Sequence, residues 1–338
     1  MNKCSIKKQF KLTLTIACIV LCYGCSPPQP IEYEYTEFRP DGSIDIYARG
    51  INNEGDVVGW FKDANGVRKG FIYSNGEFTE LLPDGWEYVQ AVDINNKGEV
   101  IGNGTTSSGA DKFFVYSNGN FTELLPDGPQ YAYAWDINDK GEVVGNGGIS
   151  HGGASFIYSN DEFTELLPDG WHGANAQDIN ENGAVVGHGE DANGHSKVFI
   201  YSNGKYTILP PPCGFNSIDR VIGMSDKGNF VVWAFKYYPP RWNYFLYSNG
   251  KYKKMGPQRV RRFTAWAMNN NGDVIGRGYD RYADEMKHYL YNDGIYREVM
   301  LPASFNITSI NDYRIITGNL VTPMGVSKAF IAYPVPQN

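Results

Sequence analysis

The sequence predicts an all-β fold: one seven-bladed β-propeller of four-stranded antiparallel blades, closed by the N-terminal strand joining the C-terminal blade. Three observations predict it. Phe-Thr-Glu-Leu-Leu-Pro-Asp-Gly recurs identically at 78–85, 121–128 and 163–170. Aligned Ile or Met residues at 51, 94, 137, 179, 224, 268 and 310 mark a unit of 42 to 45 residues. Turn-forming residues then fall at fixed offsets within each unit, as repeat architectures require.

Each unit reads as strands A to D. Strand A ends in Asp-Ile-Asn, B is Glu-Val-Val-Gly, C is Phe-Ile-Tyr and D is Phe-Thr-Glu-Leu-Leu. Between A and B, an Asn or Ser at 52, 95, 138, 180, 225, 269 or 311 can bond its own backbone. Three residues on comes Gly55, Gly98, Gly141, Gly183, Gly228 or Gly272, suited to a left-handed bulge position. Arg314 breaks that series, so the seventh turn should differ. Strands B and C are apolar almost throughout, as in Phe113 to Tyr116, which fits sheets covered on both faces. Between C and D, Ser-Asn-Gly supplies the positive φ angles of a two-residue hairpin. Seven A–B hairpins and seven C strands face only six C–D turns. Tyr35 to Gly42 matches strand D, 43 residues ahead of Phe78, so the N-terminal strand should complete the blade begun by Ala329 to Tyr333 and leave no open edge.

The N-terminus reads as a targeting segment. Lys3, Lys7, Lys8 and Lys11 precede an apolar run from Leu12 to Tyr23, too short to span a bilayer. Leu21 to Ser26 resembles a bacterial lipobox, with Gly24 before the cleavage point and Cys25 as the lipidated residue. The expected organisation is a signal peptide over 1–24, a lipidated Cys and short Pro-rich tether over 25–32, and one propeller over 33–338. Without residues 1–24 the chain keeps 26 Lys and Arg against 37 Asp and Glu, a net charge of −11. That balance disfavours nucleic acid as a partner. Lipidation of Cys25 would leave Cys213 as the one other cysteine of the mature chain, so no internal disulfide is expected.

Ala134 to Gly145, followed elsewhere by Lys328-Ala-Phe-Ile-Ala-Tyr333, carries the pattern Ala-x-x-Ile-Asn-x-x-Gly-x-Val-Val-Gly and Ala-Phe-x-Tyr. In these residues the chain resembles the HAF-repeat family of extracellular bacterial proteins. It departs where Gly70, Phe113 and Ser155 replace the strand C Ala and where Val232 replaces the strand B Gly. The resemblance implies an extracytoplasmic repeat protein and no particular reaction.

The A–B and C–D turns are stereotyped, whereas the D–A and B–C connections differ in every unit and share one face of a propeller. Function on rigid scaffolds concentrates in such loops. The candidate ligand-binding face comprises Trp86, Tyr88, Tyr131, Trp171, His172, Trp242, Arg261, Arg262 and Tyr282. Tyr133, Phe215, Phe263, Tyr237 and Tyr238 belong to the same loops, and Arg241, Arg259, Arg277 and Arg281 add charge that can hold an anionic sugar, a carboxylate or an acidic partner, with a solvated basic face as the default. Aromatic rings give rigid contact area for sugars or proteins, although some should pack between blades instead.

Several motifs carry less. Gly148-Ile-Ser-His-Gly152 fits Gly-x-Ser-x-Gly but sits in a β loop rather than at a strand-to-helix elbow. Asp63 to Gly66 and Asp191 to Gly194 resemble pieces of a calcium loop but lack its remaining ligands and read as turns. Asp93, Asp136 and Asp178 occupy equivalent inner-strand positions, where three carboxylates can bind a cation or act as acid and base, but capping of the following turn is the expectation. His188 and His195 show no metal spacing. No catalytic residue, metal or cofactor is predicted.

The functional expectation is an envelope-anchored binding or interaction module working through the D–A and B–C face. The alternative is a carbohydrate-active hydrolase or lyase using that face. The expected partners are a glycan or an envelope protein, with membrane contact through the lipid alone. A monomer at the bacterial envelope, at the outer membrane by the class of Ser26, completes the expectation.

Overall fold

Two-residue turns set the strand pairing. In the computed structural model, which describes residues 28–124, 131–147, 153–322 and 324–336, both central residues of each C–D turn have positive φ. Asn75 and Gly76, for example, lie at 51° and 90° and close the pair Ser74–Glu77. This geometry matches the right-handed twist of the flanking strands.

The first strand is β1 (Ile31–Phe38). Five four-stranded antiparallel sheets follow. One holds β2 (Asp45–Ile51), β3 (Val57–Lys62), β4 (Arg68–Ser74) and β5 (Glu77–Leu81). The next holds β6 (Trp86–Ile94), β7 (Val100–Thr106), β8 (Asp111–Ser117) and β9 (Asn120–Leu124). Then come β10 (Ala132–Ile137), β11 (Val143–Gly147), β12 (Ala154–Ser159) and β13 (Glu162–Leu166). The fourth comprises β14 (Trp171–Ile179), β15 (Val185–Asp191), β16 (Ser196–Ser202) and β17 (Lys205–Leu209). The fifth comprises β18 (Ser217–Met224), β19 (Phe230–Lys236), β20 (Arg241–Ser248) and β21 (Lys251–Lys254). The rest are β22 (Val260–Met268), β23 (Val274–Asp280), β24 (Glu285–Asn292), β25 (Ile295–Met300), β26 (Asn306–Ile310), β27 (Ile316–Val321) and β28 (Ser327–Pro334).

These last seven strands and β1 correct the expectation of seven separate four-stranded antiparallel blades. They form one eight-stranded mixed sheet in the order β22-β23-β24-β25-β1-β28-β27-β26. β1 is antiparallel to β28 from Tyr33–Pro334 to Phe38–Ala329, and its first two residues pair parallel with Val299 and Met300 of β25. The reason is length and burial. β1 runs three residues longer than β5, and its extra Ile31 and Tyr33 enter one apolar cluster with Val299, Phe305 and Phe330. The all-β, propeller-type repeat fold stands, with two repeats fused through β1.

The inner strands β2, β6, β10, β14, β18, β22 and β26 contact one another in that order, and β26 returns to β2. The apolar core lies between successive sheets. Phe113 stacks on Phe156 of the next sheet at 5.4 Å, and Phe38 stacks on Tyr73 at 4.0 Å across the junction with β1.

Two rings of hydrogen bonds close the A–B end. In the inner ring each buried amide serves its own turn and the next sheet. Asn138 Oδ1 accepts from the Glu142 N–H (3.0 Å), while its Nδ2 donates to Glu142 and to the Asn180 carbonyl (3.1 Å). The same link runs Asn52 to Asn95, Asn95 to Asn138, Asn180 to Ser225, Asn269 to Asn311 and Asn311 back to Asn52. Ser225 is too short to continue it; there the Asp226 N–H donates to the Asn270 carbonyl (3.1 Å). In the outer ring, the N–H of one turn donates to a side chain of the next: Asn53 to Asn96, Asn96 to Asp139, Asp139 to Glu181, Glu181 to Asp226, Asn270 to Asp312 and Asp312 to Asn53.

The seventh A–B turn does not differ, contrary to expectation. The Arg314 N–H donates to the Asn311 carbonyl (3.0 Å), as the glycines do in the other turns. Arg314 adopts φ 65° there, which is strained for a side chain with Cβ. Its guanidinium offsets the strain with two bonds to buried Asp273, at 2.8 and 3.1 Å, and the Tyr33 hydroxyl donates to its carbonyl (2.9 Å).

Asn138→Ala leaves the Glu142 N–H without its acceptor and removes one of the two donors to the buried Asn180 carbonyl, which keeps the Gly183 N–H. It should lower the unfolding free energy by about 2–3 kcal/mol in denaturant titration. Asn138→Ser, which keeps the turn acceptor as Ser225 does, should lose about half as much. A Ser variant as stable as wild type would mean that the link to the next sheet contributes nothing.

Candidate functional site

The inner strands line a cavity of about 840 Å³ along the ring axis. Each has a register shift just before its aligned Ile or Met, between 48/50, 91/93, 134/136, 176/178, 221/223, 265/267 and 307/309. A bulge leaves one residue outside the ladder and re-aims its side chain. The residues so placed are Arg49, Val92, Trp135, Gln177, Ile222, Trp266 and Thr308, and all seven line the cavity. Sequence reasoning missed this set. Its signal was present: the position two before the aligned Ile or Met varies among Arg, Val, Trp, Gln, Ile and Thr within otherwise uniform repeats.

Asp93, Asp136 and Asp178 also line the cavity but do not cap the following turns, a task done by the asparagines. Asp136 instead accepts from its neighbour Ile137 N (3.0 Å) and from Ile179 N of the next sheet (2.7 Å). Asp178 accepts from Met224 N (3.2 Å). Burial, then the charge of Asp136 and a hydrogen bond with it, hold the Asp93 carboxyl well above the usual range. Burial and the Asp136 charge raise Asp178 likewise. At the rim, burial and the carboxylates around it push Glu181 up to about 7. Among the described residues, no three His, Cys, Asp or Glu side chains converge as a metal set.

A second cavity of about 860 Å³ opens at the D–A and B–C end, lined by residues including Tyr131, His172, Asn175, His188, Glu190, Asp219, Trp233 and Tyr237. Asn175 lines both cavities. His188 Nδ1 lies 3.1 Å from Gln177 Oε1, which accepts from Val221 N, so Nδ1 carries the proton and Nε2 remains an acceptor. Burial lowers the His188 pKa to about 4, which keeps the ring neutral at physiological pH.

The residues expected on the binding face separate into three groups. Tyr131 and His172 line the second cavity. Trp86 and Trp171 are buried at 6% and 9% exposure, edge-on to Phe114 and Phe199, and Trp86 Nε1 donates to Glu123 (2.7 Å). Each begins a nine-residue inner strand, pairs there with the second strand beside a register shift, and joins an apolar cluster with that Phe. Tyr88 sits under the Arg68 guanidinium at 5.2 Å. Trp242 and Tyr282 are exposed at 55% and 86%, and Arg261 and Arg262 are exposed at the start of β22. Of the remaining arginines, Arg241 covers Phe215, Arg277 covers Trp266 and Arg259 pairs with buried Asp280 at 2.9 Å. Asp63 and Asp191 each accept two N–H groups of their own turn. Cys25, the leader over 1–24 and Gly148 to Gly152 lie outside the described residues.

No protein-family model and no curated protein matches the chain. The HAF resemblance therefore rests on the motif residues alone. Solved structures do match. Virginiamycin B lyase from Staphylococcus aureus, bound to quinupristin, is 15% identical with a TM-score of 0.57, over 90% of this chain and 100% of that one. The β-propeller domain of the Trilobed protease from Pyrococcus furiosus is 10% identical with a TM-score of 0.58, over 87% and 94%. A puromycin-hydrolyzing peptidase of Mycobacterium tuberculosis is 11% identical with a TM-score of 0.56, over 89% and 54%. At these identities the likeness is one of fold, which is propeller-type.

The raised rim carboxyl has a pH consequence. Glu181 binds its proton more tightly folded than unfolded, so its contribution is full below its ordinary value of 4.5 and is lost as pH rises through about 7. His188 acts oppositely, between about 4 and 6.5, so the comparison belongs above that window. From pH 6.5 to 8, wild type should lose stability relative to Glu181→Gln; parallel profiles would contradict the assignment.

Proposed function

We propose that this chain is a binding module of the bacterial envelope that takes its ligand at the D–A and B–C end of the ring. The observation that carries the reading is the cavity of about 860 Å³ there. Its volume suits a small organic ligand, and its walls combine rings with a few polar groups. Tyr131 (43% exposed) and Tyr237 (53%) offer faces to sugar C–H groups, while Asn146, Glu190 and Asp219 suit hydroxyls. Trp242 and Tyr282 are further exposed rings, outside the cavity lining. The HAF-like repeats and the lipobox-like Leu21 to Ser26 support an extracytoplasmic protein anchored through Cys25, with a glycan or envelope protein as partner and no nucleic acid.

A carbohydrate-active hydrolase or lyase is the second reading. The presence of Glu190, Asp219, His172 and His188 in one cavity favours it.

A glycan and envelope-protein screen on residues 26–338 tests both. A hit should weaken about tenfold or more in Tyr131→Ala and Tyr237→Ala, since truncating a central aromatic anchor typically removes 2 kcal/mol or more. The bound glycan should be recovered intact. New reducing or unsaturated ends would replace the binding reading with the enzymatic one, and a hit indifferent to both substitutions would move the site elsewhere.

A further inference from the structure

Two guanidinium groups in the axial cavity make no ion pair among the described residues. Arg49 is the bulged residue of β2 and is half-buried; Arg220 lies on β18, and both line the cavity. Among the described residues neither makes a side-chain hydrogen bond or an ion pair, although each guanidinium carries five donors. Other arginines turned inward are matched: Arg314 holds Asp273 with two bonds and Arg259 holds Asp280. The cavity carboxyls spend their hydrogen bonds elsewhere, Asp93 on Asp136, Asp136 on two backbone amides and Asp178 on Met224 N. They also sit one position nearer the A–B turns than Arg49 and three nearer than Arg220. Burial lowers the Arg49 pKa first; Tyr47 opposes that, the like charge of Arg220 adds to it, and the Asp93 charge offsets part of it. A guanidinium does not lose its proton in a protein, so half-buried Arg49 and exposed Arg220 set two positive charges on the cavity wall, a match for an anion.

We propose that Arg49 and Arg220 form an oxyanion subsite inside the axial cavity, so that the ligand is a small molecule bearing a carboxylate or phosphate on a sugar-sized body. Planar forked donors match both anions. The bulged Trp135 (40% exposed) and Trp266, with Tyr47 (40%), supply ring faces for the body of the ligand. Access is from the D–A and B–C end, because Asp139, Glu181, Asp226 and Asp312 ring the other one. The inference deepens the binding reading above and rests on it only in taking the ring as ligand-bearing.

The test is calorimetric titration of residues 26–338 with glucuronate, glucose 6-phosphate and glucose at equal ionic strength and pH 7. At least one charged sugar should bind about tenfold or more tightly than glucose, and Arg49→Gln and Arg220→Gln should each remove about that factor, as loss of a charge-assisted bond does. Which charged sugar binds distinguishes carboxylate from phosphate. The melting temperature of free Arg49→Gln should equal or exceed that of wild type, because an unpaired interior charge has been removed. Charged sugars binding no better than glucose, or undiminished binding in both variants, would overturn the subsite. A ligand from the glycan screen that ignores both substitutions would leave the binding module standing and remove the subsite alone. A lowered melting temperature of Arg49→Gln would show an internal structural partner and would also overturn it.

Discussion

The rest of the structure depends on the buried asparagine ring at the A–B turns. A four-stranded sheet with two apolar faces is insoluble alone and must stack, and stacking by apolar contact sets no register between neighbours. The ring sets it. Asn52, Asn95, Asn138, Asn180, Asn269 and Asn311 are each at most 5% exposed, and each holds its own turn with its oxygen while its nitrogen reaches the next sheet. A network of satisfied buried amides admits one arrangement, since any slip strands several polar groups away from water. Asn311 donating to Asn52 (2.8 Å) joins the last repeat to the first.

With the turns locked, the bulges acquire meaning. They sit immediately above the ring, so the seven side chains they turn inward are held on a rigid frame and can vary without disturbing the fold. The two purposes occupy neighbouring positions: the Asn for assembly, the residue three before it for lining the cavity. The carboxyls between them show the cost of crowding. Asp93, Asp136 and Asp178 are pressed into one wall, where burial favours the neutral form and two of them share a hydrogen bond.

The repeat, the turns and the four-strand unit were legible in the sequence because each depends on local backbone chemistry, as with the positive φ of Asn-Gly or the turn-closing Asn. What lay outside local chemistry was not legible. The amide of Asn138 looks the same in sequence whether its nitrogen faces solvent or the Asn180 carbonyl. Trp86 and Trp171 sit beside Asp-Gly turns and read as loop residues, yet pack edge-on to Phe114 and Phe199. Arg314 occupies a glycine's place because Asp273, 41 residues earlier, holds it there. The parallel contact of β1 with β25 depends on two extra residues at the N-terminal end of one strand.

Hydrogen exchange at the outer ring tests the central claim most directly. The Asp312 N–H crosses from the last repeat to Asn53 of the first, whereas the Asn96 N–H crosses between two repeats adjacent in sequence. If the ring is one closed cooperative unit, both amides should open with the same free energy, close to that of global unfolding. An Asp312 amide that exchanges through a local opening far below the global value, with Asn96 still protected, would show the junction to be a seam and would contradict the account.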